Sequence, residues 1–219
     1  MSMHGHPQAG FSLLEMSIVL AIVGLLLAGL LPTLSGQIEQ QRVNETRKQM
    51  NDIKDALMGY AIVNGRLPYP ASASAVTGTA NAGVSDSTLA TGVIPWVTLG
   101  TSETDAWGRR FTYSATSSFI ASNFTLISTG SLTIKTATTG SNVATGIPAI
   151  FVSHGTNGWG AYTPQGTQIL ASSDSGEAEN SNANNNFVSH DPTPSFDDLI
   201  VWISPSILFN RMVAAGKLP

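Results

Sequence analysis

Two groups of residues in this 219-residue chain place charge or ligating chemistry where the surroundings make it count. The first is Glu15. It closes the stretch Gly10-Phe-Ser-Leu-Leu-Glu15, directly ahead of the apolar run Met16 to Leu31, and no other formally charged residue occurs before Glu39. An apolar span of ~20 residues matches the hydrocarbon thickness of a bilayer, and a carboxylate at its end is costly in lipid unless something answers it. The second group is late in the chain. Asp174, Glu177, Glu179 and five Asn lie between Ser172 and Asn186, with His190-Asp191-Pro192 and Asp197-Asp198 just beyond. Such a polar, low-complexity stretch reads as a solvated, mobile loop. The alternative is an oxygen-ligand Ca2+ site, because carboxylates, Asn side chains and loop carbonyls suit a hard cation. No EF-hand spacing is present, so no individual ligand follows.

Catalytic chemistry finds little support. HExxH, GxSxG, a Walker loop and CxxC are all missing. Ser153 to Tyr162 is glycine-dense, but it reads GxxGxG and opens no strand–turn–helix unit, which speaks against a dinucleotide site. His154 within it is read as a turn residue bonding loop backbone, with ligand or base as the alternative. His190 lies near Asp191, Asp197 and Asp198, yet a Ser-His-Asp set without spacing or elbow context has little weight in so serine-rich a chain. The chain is read as no enzyme. The absence of cysteine rules out disulfide staples and thiol chemistry, and a net charge of -4 leaves no basic footprint for nucleic acid.

These groups must be positioned by a small number of elements. Val43, Met50, Ile53, Leu57 and Tyr60 recur at helical spacing after the apolar run, with Ala56 and Ala61 beside them. Glu39/Arg42, Glu45/Lys48 and Lys48/Asp52 are spaced for pairing on the polar side. Asn64-Gly65, then Pro68 and Pro70, stop the pattern. One helix over 11–64 follows, 54 residues and roughly 80 Å long, with a kink or melted turn expected near 30 to 36 from Pro32 and Ser35-Gly36.

Residues 65–219 read as a β-rich domain. Arg66 to Pro70 is a rigid exit, 71–91 a small-residue loop, and Pro95 keeps Gly92 to Gly100 from being a central strand. In Asp105-Ala-Trp-Gly-Arg-Arg-Phe-Thr-Tyr113, Asp105 and Gly108 shape a turn with Trp107 as a core plug. Phe111 and Tyr113 then alternate onto one strand face. Ser118 to Ser128, Leu132 to Thr138, Ile147 to Ser153 and Asp198 to Ile203 are further candidate strands, most economically an antiparallel meander. Ser204 caps a terminal helix with Pro205 at its first position and an apolar stripe of Leu208, Met212 and Ala215, and Gly216 ends it.

The N-terminal stretch resembles the processing site of type IV prepilins and type II secretion pseudopilins. That resemblance implies a leader of residues 1–10 cut by a prepilin peptidase between Gly10 and Phe11, N-methylation of Phe11, and use of Glu15 in assembly. Glu15 would pair with the N-terminal amine of a neighbouring subunit's Phe11. Gly24 and Pro32 fall where such helices commonly carry a glycine and a proline, and Asp105-Ala-Trp-Gly108 resembles the Asp-Pro-Trp-Gly segment of many pseudopilins and minor pilins. The leader departs from the family in having no Lys or Arg. Only His4 and His6 could carry positive charge there, and Arg42, Arg47 and Lys48 oppose the positive-inside rule from the far side.

The implied fold is α+β and type IV pilin-like: a long N-terminal helix packed on a C-terminal antiparallel β-sheet domain with a short terminal helix. Its parts are a transmembrane and filament-core segment at 11–34, an amphipathic segment at 35–64, and a periplasmic domain at 65–219. The implied protein is a single-pass inner-membrane precursor that becomes part of an extracytoplasmic filament. It would be a minor pilin or pseudopilin of a type IV pilus or type II secretion pseudopilus. Its implied partners are the prepilin peptidase, other pilin or pseudopilin subunits, the inner-membrane assembly platform and membrane lipid. No cofactor is required, and Ca2+ enters because some major pseudopilins bind calcium in a late loop. The missing C-terminal cysteine pair argues against the disulfide-looped major pilins. The alternative is a membrane-anchored periplasmic adhesion or binding module that does not polymerise, but such an anchor needs no carboxylate in its lipid-facing helix.

Overall fold

The apolar run and the amphipathic stretch after it form one helix, α1 (Leu13–Asn64). The computed structural model describes residues 10–219, except for the side chains of 27–34. The leader residues 1–9 with His4 and His6, and the side chains of Leu31 and Pro32, lie outside the described residues. The helical backbone is continuous through 30–36, so the melted turn expected there does not occur.

Two compact units divide the chain, one ending at Gln41 and the other spanning Arg42–Pro219. In the first, the side chains of Leu13, Leu14, Ile18, Leu20, Leu25 and their neighbours are exposed. Positions one to five residues apart cover every face of a 3.6-residue helix, so this segment is apolar all round and needs lipid or other helices to cover it. Among the described residues no helix is long and apolar enough to cross a membrane; the apolar run of the sequence continues into 27–34.

The second unit is built on the amphipathic part of α1. Thr46, Met50, Ile53, Leu57 and Ala61 are completely buried at intervals of three or four residues. Gly65, at φ +72°, ends the helix and donates its N–H to Ala61 O. Glu45, Lys48 and Asp52 make no ion pair, as exposed helix pairs are worth only a few tenths of a kcal/mol.

The remaining elements are β1 (Thr91–Val93), α2 (Trp96–Leu99), β2 (Thr112–Ala115), α3 (Ser117–Ile120), β3 (Leu132–Lys135), β4 (Asn142–Ile147), β5 (Ala149–Ser153), α4 (Ser175–Asn180), β6 (Asn186–Val188), β7 (Leu199–Ile203) and α5 (Pro205–Ala214). The main sheet is antiparallel with order β1-β2-β5-β7, and a second sheet has order β4-β3-β6. This is the α+β pilin-like fold expected.

The sheet lies between two cores. On β5, Ala149 and Phe151 face α1, β2 and α5, whereas Ile150 and Val152 face Leu132, Ile134, Ile147 and Phe187 of the second sheet. A strand buried on both faces reads as an unbroken apolar run, as Ala149-Ile-Phe-Val does. Completing the helix side, α5 contributes Leu208 and Met212. It ends at Gly216 (φ +67°), whose N–H bonds Val213 O while Lys217 N–H bonds Met212 O.

Four expectations need correction. The strands do not form a simple meander: β2 pairs β5 across an excursion that carries β3 and β4, and β6 joins β3 in parallel after α4. Ser118 to Ser128 is not a strand but α3 followed by turns. Its apolar residues do not alternate, and Phe119, Phe124 and Phe209 form one ring cluster with centroids 5.0–6.1 Å apart. Trp107 is only half-buried, and the buried tryptophan is Trp96, which packs over Gly83 and under the Arg110 guanidinium. Ala215 is exposed, and Leu218 is buried in its place.

Candidate functional site

At the N-terminus, Ser12 and Glu15 cap α1 reciprocally. Glu15 Oε2 accepts from Ser12 N–H at 2.8 Å, and Ser12 Oγ accepts from Glu15 N–H at 3.2 Å. This capping box follows from a Ser three residues ahead of a Glu at a helix start. It places the carboxylate in the first turn, beside Phe11, whose side chain is exposed.

The second constellation is in the globular unit, where three separate parts of the sequence meet. The glycine-dense loop after β5 supplies Asn157, α4 supplies Glu177, and the entry to β7 supplies Asp197 and Asp198. A carboxylate oxygen from each acid lies within 4.8 Å of the others. One oxygen of each is already occupied. Glu177 Oε1 accepts from Asn157 Nδ2 (2.7 Å) and Asp197 N–H (3.0 Å), Asp197 Oδ2 from Asn157 N–H (3.0 Å), and Asp198 Oδ2 from Asn180 Nδ2 (2.8 Å). The other oxygens, Glu177 Oε2, Asp197 Oδ1 and Asp198 Oδ1, are buried without a hydrogen-bond partner. Such orphaned acceptors are costly in a protein interior, and more so when they belong to neighbouring carboxylates. Burial pushes the Asp197 carboxyl up to about 6 against the Asn157 N–H bond, with the Glu177 and Asp198 charges adding to the rise. Burial likewise raises Asp198, although His154 and Asn180 pull the other way.

Local structure explains how these groups converge. Asp174 caps α4, its Oδ1 accepting from Gly176 N–H (2.8 Å) and Glu177 N–H (3.3 Å), which turns Glu177 inward. Gly155 has φ +55°, and a Cβ there would stand 2.3 Å from Asp197 Oδ1. The loop backbone is thus shaped around that oxygen. A divalent cation fits this donor set: three carboxylates, all hard oxygens, each with a free atom.

His154 is fully buried. Its backbone O accepts from Gly158 N–H of the loop at 2.8 Å, as read, while its side chain turns to other side chains. Nε2 is 2.8 Å from Thr112 Oγ1, and Nδ1 is 3.5 Å from Asp198 Oδ1. His190 is elsewhere, stacked on Phe196 with its Nδ1 on Asp191 O. Glu177 was hidden within a stretch read as loop. The Asp174-Ser-Gly-Glu177 spacing, an N-cap followed by Glu, was the signal for α4.

The Asp105 turn forms as read. Asp105 Oδ1 accepts from Trp107 and Arg109 N–H, both at 3.0 Å, and Gly108 takes φ +80°. Ser153 Oγ donates to Asp105 Oδ2 at 2.7 Å, and Ala106 N–H donates to Thr46 Oγ1 at 3.2 Å, so the turn links β5 to α1. Its role is structural.

Comparison with known families decides the class. The model for type II secretion system protein G matches residues 33–144, just over half of the chain. The chain belongs to that family. Residues 5–31 match the prokaryotic N-terminal methylation motif. No curated protein and no solved structure matches the chain. This pseudopilin is therefore a member of a family of structural, non-enzymatic subunits, within the type IV pilin-like group. Its N-terminal motif is that of proteins first anchored in the membrane and then extracytoplasmic. The acidic corner lies beyond the end of the family match.

Proposed function

We propose that this chain is a filament subunit, a minor pilin or pseudopilin, processed by a prepilin peptidase between Gly10 and Phe11 and methylated on the Phe11 amine. The reading rests on one observation above all. A helix that starts with a capped carboxylate at Glu15 runs on into a segment apolar on every face. Lipid covers that segment in the single-pass precursor, with the globular domain in the periplasm. Neighbouring helices cover it in the filament. On transfer by the inner-membrane assembly platform, the Glu15 carboxylate meets the positive amine of a neighbour's Phe11. A wrong vertical register leaves a buried carboxylate unpaired, so the pair sets register.

Within the globular domain, Glu177, Asp197 and Asp198 would hold a divalent cation, in our reading Ca2+. The cation would neutralise three crowded carboxylates and tie the glycine-dense loop, α4 and β7 together.

Intact mass and N-terminal analysis of membrane-extracted protein, with and without the peptidase, tests processing. The expected product lacks Met1 to Gly10 and starts with methylated Phe11, only when the enzyme is present. An uncut leader, or a cut beyond Leu31, overturns the proposal and favours an anchored module.

A further inference from the structure

We infer that His154 is a positioning residue for the cation site, its ring lying against Asp198 Oδ1 on one side so that the remaining lone pair of that oxygen is presented to the ion. The inference rests on the cation reading above. His154 lies outside the family match and outside the acidic triplet itself.

Asp198 is held from two sides. On one side, Asn180 Nδ2 donates to Oδ2, and Asn180 is itself fixed because its Oδ1 accepts from Val188 N–H (2.8 Å) and its Nδ2 also reaches Val188 O (3.0 Å). On the other side, Oδ1 faces His154 Nδ1 at 3.5 Å, an ion-pair distance and not a hydrogen bond, with both side chains completely buried and both atoms otherwise without a partner. A carboxylate oxygen can only accept, so the ring proton belongs on Nδ1. The neutral ring then has a bare Nε2, which accepts from the Thr112 hydroxyl at 2.8 Å. The accept-only carboxylate thereby selects the tautomer, and the Thr112 hydroxyl, free to donate, holds the ring in place from the other side. Strand β2 carries Thr112 and His154 directly follows β5, so the sheet sets the position of a ligand at the mouth of β7.

The order Thr-His-Asp is that of a hydrolase triad, but the Thr112 side chain is buried at 9% exposure. A nucleophile must reach substrate, so the relay's product here is orientation. Partners of this kind around a ligand are worth ~10–100-fold in metal affinity when removed.

The test is calorimetric titration of Ca2+ into full-length protein in detergent micelles, with nitrogen NMR of the His154 ring. Wild type should bind Ca2+ and show the Nδ1–H tautomer. His154→Leu removes the donor and should weaken Ca2+ binding by ~10–100-fold. His154→Asn can return an N–H near the Nδ1 position and should recover most of that loss, which a filler of space would not do. Where His154→Leu fails to fold, Thr112→Val decides, because it removes the hydroxyl that holds Nε2, and weaker Ca2+ binding is expected. Wild-type affinity in His154→Leu or Thr112→Val, or an Nε2–H ring in the wild type, overturns the inference while leaving the cation site standing. Absence of Ca2+ binding in the wild type overturns the cation reading, and this inference with it.

Discussion

Arg110 and Glu177 are both charged side chains with no solvent exposure, and the chain answers them differently. Arg110 is met on every side. Its Nη1 donates to Ala73 O and Ala75 O, its Nη2 to Thr77 Oγ1 and Pro164 O, and Nε and Nη2 both reach Glu103 Oε1. The guanidinium also lies 4.7 Å from the Trp96 ring centroid. That network pins the small-residue loop between α1 and β1, and it is complete without anything else. The acidic corner is met halfway: each of its three carboxylates has one bonded and one orphaned oxygen. A buried charge satisfied within the chain is architecture. One left half-satisfied in a backbone shaped around it is the observation behind the proposed cation. Glu15 is a third case: it is exposed and capped by its own Ser12, while the apolar side chains around it remain uncovered.

The largest effect should come from breaking the complete network. Arg110→Met should cost ~3–5 kcal/mol of stability, as removal of one partner from a buried charge pair typically does. Chemical denaturation reads it, and Ca2+ affinity of the folded protein should not change. Neutralising the incomplete site should do the reverse. Glu177→Gln with Asp197→Asn should lower Ca2+ affinity by at least ~100-fold. It should also raise the melting temperature of the Ca2+-free protein, because two crowded carboxylates are gone. Equal loss of stability in both variants would erase the distinction between the regions.

The pH dependence is subtler. Asp197 is raised to about 6 from 3.8 in the folded chain, so the folded state binds its proton more tightly than the unfolded state. The Ca2+-free domain should therefore gain stability from this group as pH falls through about 6 toward 3.8, keep that gain at lower pH, and lose it as pH rises back through about 6. Protons compete with Ca2+ for the same oxygen, so affinity should fall by roughly tenfold per pH unit below that point. Calorimetric melting with and without Ca2+ measures both, and a domain that only loses stability on acidification contradicts the assignment.

How legible these features were depended on the range of the interactions. The long helix was plain, since a charge-free apolar run and the Met50, Ile53, Leu57 spacing are local. The Asp105–Gly108 turn and the Ser204-Pro205 helix start were equally local. Trp96 and Trp107 were not distinguishable by position, because which ring is buried depends on Gly83 and Arg110, both remote in sequence. The acidic corner was visible only as composition. Its members come from 154–157, 174–180 and 197–198, and no periodicity along the chain records that the loop after β5 folds against α4. Arg110 was hidden for the same reason, since its acceptors are 7–54 residues away.

The central claim is that Glu15, capped by Ser12 of its own chain, also answers a neighbour in the proposed filament. Its most direct test is Glu15→Ala in cells that assemble filaments, scored as the sheared filament fraction against the membrane pool. Cleavage and methylation at Phe11 are checked on the same material. The account predicts normal processing, an unchanged globular domain and loss of the filament fraction. Wild-type filament yield from Glu15→Ala would contradict it.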